Sequence, residues 1–258
     1  MISIKLKYAL LTGFSLSLLF LMGCNSESVD SEDIQTSGIW AKMEVDARED
    51  QRSRVVVELN VGGEFGTNVE LSDGEYLEVE AGGVIKRLDE DTDIFDIDYQ
   101  AYMDIVESDT LFTVRFYRSN GENIVDSTAR LPTSFDITSP LANTQFGLSE
   151  NVLLTWSSSR NGQGIHLYSS VTCTNTEGNR TTSATSFDID DDGQYEFDIS
   201  SNNLFANGTN GLNTSALCDL NLKLEREGRG VIDPAFDSGG EFKIYQSRKT
   251  IGLSVNLE

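Results

Sequence analysis

The chain has 258 residues, a formal charge of −23, 42 acidic against 19 basic residues, and a mean hydropathy of −0.27. A surface that acidic repels nucleic acid and anionic headgroups, which argues against nucleic-acid binding and suits a protein kept dispersed by its own charge. A single histidine and three cysteines leave few reagents for nucleophilic or metal chemistry.

The first seven residues carry Lys5 and Lys7 and no acid, and an apolar stretch follows from Tyr8 to Met22. A positive start and an apolar core shorter than the ~20 residues of a membrane span read as a secretory signal. The stretch ends in Leu21-Met22-Gly23-Cys24, after which the chain turns polar and acidic. That ending resembles the lipobox of bacterial lipoproteins. The resemblance implies a signal peptide over 1–23 and a lipid anchor, with palmitate-like acyl chains, on Cys24. Asn25 after the cysteine resembles the sorting signal for the outer membrane in Gram-negative cells. An ordinary signal peptide, or an uncleaved anchor, is the plainer alternative. Each buried CH₂ contributes about 0.8 kcal/mol, so two or three acyl chains hold a protein on a bilayer. Loss of 1–23 removes two lysines and no acid, leaving 17 basic and 42 acidic residues and a formal charge of −25.

Residues 24–37 are polar and acidic with no hydrophobic pattern and are expected to form a flexible tether. From Gly38 the sequence alternates with period two. Strands are expected at 39–45, 54–60, 76–80, 110–118 and 124–130, separated by Gly, Asn and Asp clusters. Between them, Asp89-Glu90-Asp91-Thr92-Asp93 runs on to Asp96 and Asp98 with Ile94, Phe95, Ile97 and Tyr99 interleaved. The later half reads as an edge strand whose solvent-facing aspartates deter edge-to-edge pairing, with a divalent ion among the crowded carboxylates as the alternative.

Leu131-Pro132 through Ser139-Pro140 reads as a junction, after which strands are expected at 152–157, 165–172, 186–189, 194–199, 217–225, 241–245 and 250–257. The expectation is an all-β protein of two tandem sandwiches, 38–131 and 134–258, with one larger β domain as the alternative. Ile137-Thr138-Ser139-Pro140 and Asn151-Val152-Leu153-Leu154-Thr155-Trp156 resemble the opening of bacterial immunoglobulin-like or fibronectin type III-like domains, which implies a buried Trp156. Asp191-Asp192-Gly193-Gln194-Tyr195 resembles the tyrosine corner of such folds, which implies a Tyr195 hydroxyl bonded back to the chain.

With Cys24 assigned to lipid, Cys173 and Cys218 are an even pair in an exported chain and are expected to form a disulfide. Closing a loop of that length stabilises by about 3–4 kcal/mol through the unfolded state. Asp188, Asp190 and Asp192 before Gly193 fit the start of a calcium loop, yet the twelfth position is Ile199 where a glutamate belongs. A turn without metal and a weak calcium site are both carried forward. His166, between Ile165 and Leu167, reads as a surface strand residue. The Asn- and Gly-rich segment 200–215 reads equally as a binding loop or a tolerated insertion.

The expected function is non-catalytic: a monomeric or weakly associating, lipid-anchored lipoprotein of the cell envelope that presents a β surface to a protein or glycan. A structural spacer is the alternative. A polysaccharide hydrolase stands third, because 42 acids offer many carboxylate pairs and none is marked.

Overall fold

The computed structural model describes residues 28–258, apart from 49, 93–95, 120–122, 159–163, 201–203 and 206–207. Among them there is no α-helix. The first half runs β1 Val29–Asp30, β2 Ile39–Ala47, β3 Ser53–Val61, β4 Val69–Glu70, β5 Tyr76–Ala81, β6 Val84–Arg87, β7 Asp89–Thr92, β8 Ile97–Met103, β9 Leu111–Tyr117 and β10 Ile124–Arg130. The second runs β11 Ile137–Ser139, β12 Gln145–Gly147, β13 Asn151–Trp156, β14 Gly164–Thr174, β15 Arg180–Asp190, β16 Gln194–Asp198, β17 Cys218–Arg229, β18 Gly240–Lys249 and β19 Leu253–Asn256.

Period-two alternation decides which side of each strand is buried. Ile39, Ala41, Met43 and Val45 of β2 turn inward with Val55, Val57 and Leu59 of β3, while Lys42, Glu44 and Glu58 turn outward. They face Leu77, Val79, Phe112, Val114 and Phe116 of a second layer in the order β10-β9-β5-β6. The second half forms another sandwich. One layer is β11-β13-β16; the other holds β12, β19, β17, β14 and β15 around Leu154, Leu167, Phe197, Leu222 and Leu224. The fold is all-β and built of two sandwiches.

The two sandwiches are not separate beads. Strand β17 pairs with β14 on one edge; on the other it pairs first with β19 and then with β18. The β17–β18 hairpin thereby reaches out of the second sandwich and enters the first. There β18 lies parallel to β2, from Gly240 opposite Ala41 to Gln246 opposite Ala47. A single ten-stranded sheet results, running through both halves. Phe236, Phe242 and Ile244 of the hairpin are buried in the first core, each such side chain contributing roughly 1.5–3 kcal/mol. The expected boundary at 131–134 is therefore corrected: the first sandwich is completed by residues from beyond 225. The hairpin fits because its ends are bare. A Cβ at Gly230 would stand 2.3 Å from the Thr128 carbonyl oxygen, and one at Gly240 2.2 Å from that of Ala41.

The expected tether is corrected over its described part. Val29 and Asp30 pair with Val69 and Glu70, two 3₁₀ turns follow at Ser31–Asp33 and Thr36–Gly38, and Ser31 and Thr36 are buried. Arg118 holds this segment down, donating to Thr36 Oγ1 at 2.8 Å and to the carbonyls of Ser31 and Ile34. Cys24 lies outside the described residues. The acidic run is corrected too: the edge strand is Asp89–Thr92, all four residues exposed, while Ile97–Met103 lies inside the sheet between β3 and β7.

Candidate functional site

Two regions of the shared sheet concentrate chemistry: the seam between the sandwiches and the outer face above it. At the seam, Arg226 is 1% exposed and grips Asp191 with two nitrogens, Nε at 2.7 Å and Nη2 at 2.9 Å. The remaining donors go to the carbonyls of Thr133, at 2.6 Å, and Ser157, at 2.9 Å. Asp191 also accepts from Trp156 Nε1 at 2.7 Å. The Phe135 ring lies within reach of two guanidinium groups, 4.7 Å from Arg226 and 5.6 Å from Arg248. Arg248 in turn bonds Ser134 Oγ and the carbonyls of Ala47 and Ser247. The junction segment is thus pinned by two buried cations. A paired guanidinium with its donors satisfied is the form in which a charge survives burial.

Above the seam, the outer face carries tyrosines among carboxylates. Ser247 bridges the two halves, donating to Asp46 at 2.5 Å and to Glu225 at 3.2 Å. Burial, then the Glu225 charge and hydrogen bond, push the Tyr168 hydroxyl up to about 12. Tyr245 is raised in the same direction by burial and by Glu227, Glu44 and Glu225. Glu44 is raised by burial and by Asp46, against the pull of Lys42. Both phenols therefore stay protonated donors at any physiological pH. Beside Tyr168 a groove of about 470 Å³ opens over β15, β14 and β17, lined by Ser170, Ser186, Asn221, Lys223 and Lys249. Lys223 sits 4.7 Å from the Tyr168 ring centroid and 2.5 Å from Glu225. The groove offers one aromatic face, hydroxyls, an amide and two ammonium groups.

The residues singled out from sequence fall as follows. Cys173 and Cys218 are disulfide-bonded, directly opposite on β14 and β17 with Cα atoms 4.3 Å apart, so the bridge ties neighbours within one sheet. Trp156 is buried at the end of its strand, as the resemblance implies. Among the described residues no bond from the Tyr195 hydroxyl back to the chain, as a tyrosine corner would make, is seen. Tyr195 lies on β16, which pairs with the Trp156 strand, and its half-buried ring packs on Phe187 at 5.8 Å. His166 lies on the outer face, its Nδ1 2.6 Å from Asp188 Oδ1.

The same geometry describes the run carried forward as either a turn without metal or a weak calcium site. Asp188 and Asp190 end a strand, Asp192 accepts from the Gln194 amide in a turn closed by Gly193 at φ 99°, and Asp188 is committed to His166. Among the described residues no group of three or more His, Cys, Asp or Glu side chains is placed to hold a metal ion. The residue of that run with a buried role is Asp191, which sequence reading passed over. The 200–215 segment packs Leu204, Phe205 and Leu212 on the second core and is tied at Thr176 to Gly211 and at Asn213 to Thr174, both at 2.9 Å. A cleft of about 360 Å³ remains beneath it, against Val171 and Cys173.

No known protein family matches the chain, and no curated protein does. Among solved structures, it aligns with the fibronectin(III)-like modules of CbhA from Clostridium thermocellum over 83% of this chain and 91% of that one, at 12% identity and a TM-score of 0.20. At that score the alignment adds nothing to the strand order, on which the fold assignment rests.

Proposed function

We propose that this chain is a lipoprotein of the bacterial envelope, anchored through lipid on Cys24, that works as a non-catalytic binding module. The observation that carries the reading is the unbroken outer face of the shared sheet. Tyr168 and Tyr245 stand on it over the seam, with the Lys223–Lys249 groove alongside. A face held by one sheet presents its groups in a fixed arrangement, so little ordering entropy is lost when a protein or glycan of the envelope docks. The partner is expected to lie across Tyr168 and Tyr245. Crosslinking in cells with a photoreactive residue at Asn221, away from the margin of the sheet, should trap it, and Tyr168→Ala with Tyr245→Ala should abolish the adduct while the disulfide still forms. An adduct unchanged in that double variant would sink the reading.

Anchoring is tested separately. Metabolic labelling with a palmitate analogue should mark the wild-type chain and not Cys24→Ser. A second reading, a rigid spacer, is favoured by the buried Arg226–Asp191 grip at the seam, which leaves no hinge between the sandwiches. It predicts that Arg226→Ala harms function even where the outer face is intact.

A further inference from the structure

The shared sheet has two very different margins. At one, β7 is short and exposes Asp89, Glu90 and Asp91, which repel an incoming strand. At the other, β15 runs eleven residues in unbroken register with β14, from Gly164 opposite Asp190 to Thr174 opposite Arg180, and β14 is its one strand partner among the described residues. It contains no proline and no bulge, and its charges are confined to Arg180 at one end and Asp188 and Asp190 at the other. Among the described residues, none of the devices that protect an edge is present along its middle.

The direction of its backbone groups follows from its neighbours. Cys173 forms a close, non-hydrogen-bonded pair with Cys218, so its amide and carbonyl turn toward β15. The even-numbered pairs between β14 and β15 are then the close ones, as the 2.8 Å contact of the Thr172 and Thr182 hydroxyls shows. Residues 180, 182, 184, 186, 188 and 190 therefore turn their amides and carbonyls to the open margin.

We infer that β15 is an interface for a second copy of this chain, pairing antiparallel with itself about a two-fold axis through Thr185. In that register all eleven residues are used, Arg180 lies opposite Asp190 at both ends, and the neutral run Thr181–Phe187 meets itself. The even residues supply the hydrogen bonds, with Ala184 opposite Ser186 and Thr182 opposite Asp188. On the inner side the half-buried Phe187 and Ile189 gain cover from the partner's Ser183 and Thr181. Arg180 already contacts Asp219 at 2.6 Å, but both side chains are about two-thirds exposed, at 68% and 64%, and that contact leaves the guanidinium able to turn. The result is one sheet continuing through two molecules, with the Tyr168 grooves brought toward each other. The partner is thus fixed by self-complementarity of charge.

The test uses the full chain in cells. Thr185→Cys places two thiols across the axis in the same close pairing that Cys173 and Cys218 use, so mild oxidation should give a disulfide-linked dimer well above the wild-type background on a non-reducing gel. Arg180→Asp and Asp190→Arg should each cut its yield several-fold, and the double exchange should restore it. Sedimentation of the detergent-extracted wild-type chain should show the same species without any added cysteine. A wild-type chain that sediments as a monomer would overturn the inference. So would a crosslink that ignores the charge exchange, which would mean random collision or a different register.

Discussion

Among the described residues, each sandwich has one buried arginine–carboxylate pair, and the two are built differently. Arg226 and Asp191, with side chains 1% and 0% exposed, meet through two nitrogens, and Trp156 and two carbonyls complete the arrangement. Arg118 and Glu75 are both 0% exposed, yet Nε stands 3.6 Å from Oε1 and is without a hydrogen-bond partner. Glu75 is satisfied instead by Ser31 and by the amide and hydroxyl of Ser119, and Arg118 by the 31–36 segment. The first pair is an ion pair that fastens the shared hairpin to the junction segment and to strand ends of the second sandwich. The second is a cation and an anion that each fasten the same stretch of chain. In both places ladder hydrogen bonds are missing, and a buried charge with many bonding positions replaces them.

If that distinction is right, breaking the first pair costs most. Arg226→Ala takes the paired guanidinium away from a buried carboxylate, and removal of one partner of a buried pair typically costs about 3–5 kcal/mol. A single cooperative urea transition is expected to drop in midpoint and to split, because the seam no longer couples the sandwiches. An unsplit transition of wild-type midpoint would show that the continuous sheet alone joins them. Arg118→Ala should act more locally. Glu75 keeps its serine bonds and the Ser31 carbonyl keeps the Ile34 amide, so a global loss of about 1–3 kcal/mol is expected from the orphaned carbonyl of Ile34. The sensitive readout is protease cleavage within 28–38, which should quicken far more than global unfolding does.

The three buried arginines were within reach of the sequence, though composition hides them. In β9 the inward positions run Phe112, Val114, Phe116 and next Arg118; in β17 they run Leu220, Leu222, Leu224 and next Arg226; in β18, Phe242, Ile244, Gln246 and next Arg248. Each occupies the inward slot that follows a run of inward residues, so period two predicts its burial once the strand is extended by one step. The strand expected at 110–118 took in Arg118, whereas those at 217–225 and 241–245 stopped short of Arg226 and Arg248, where polar residues mimic a strand end. The alternation of β2, β3 and β9 was plain for the opposite reason: one face is solvated. What sequence could not provide was long-range pairing. Nothing in Gly240–Lys249 announces that it lies beside β2, nor does the Asp89–Thr92 run announce a strand, since main-chain bonds to β8 hold it in place. The D-x-D-x-D spacing left two readings open because an exposed strand end and an Asx turn produce it as readily as a calcium loop does. The same blindness covers β15, whose first half, Arg-Thr-Thr-Ser-Ala, has no apolar alternation to read.

The two pairs should also part company in acid. Burial pushes the Glu75 carboxyl up, but the bonds from Ser31 and Ser119 and the charge of Arg118 together hold it below its ordinary 4.5. A depressed carboxylate contributes stability that is complete above the unfolded value and is lost as pH falls through the folded one. The 28–38 segment should therefore loosen below about pH 4.5, seen as faster amide exchange there than in β2. In Glu75→Gln that added acid sensitivity should vanish. Equal exchange in the two chains at low pH would assign the loosening to other groups.

The smallest effect is expected at Asp98, a buried carboxylate oxygen with no hydrogen-bond partner and so the control that neither pair provides. Burial raises its pKa above the ordinary 3.8, with Asp91, Asp96 and Glu58 adding to the rise and Arg54 opposing it. A raised carboxylate works against folding while ionised, so stability contributed at this position increases as pH falls through the folded value. Asp98→Asn removes the charge at every pH and should raise the neutral-pH urea midpoint by an amount worth less than about 1 kcal/mol, given partial solvent screening. The gain should fade as pH falls through the raised folded value and the wild-type carboxyl itself becomes neutral. A loss of stability in Asp98→Asn would instead mean that the nearby Arg54 charge outweighs burial. Asp98 would then join Asp191 and Glu75 as a third anion held by a cation.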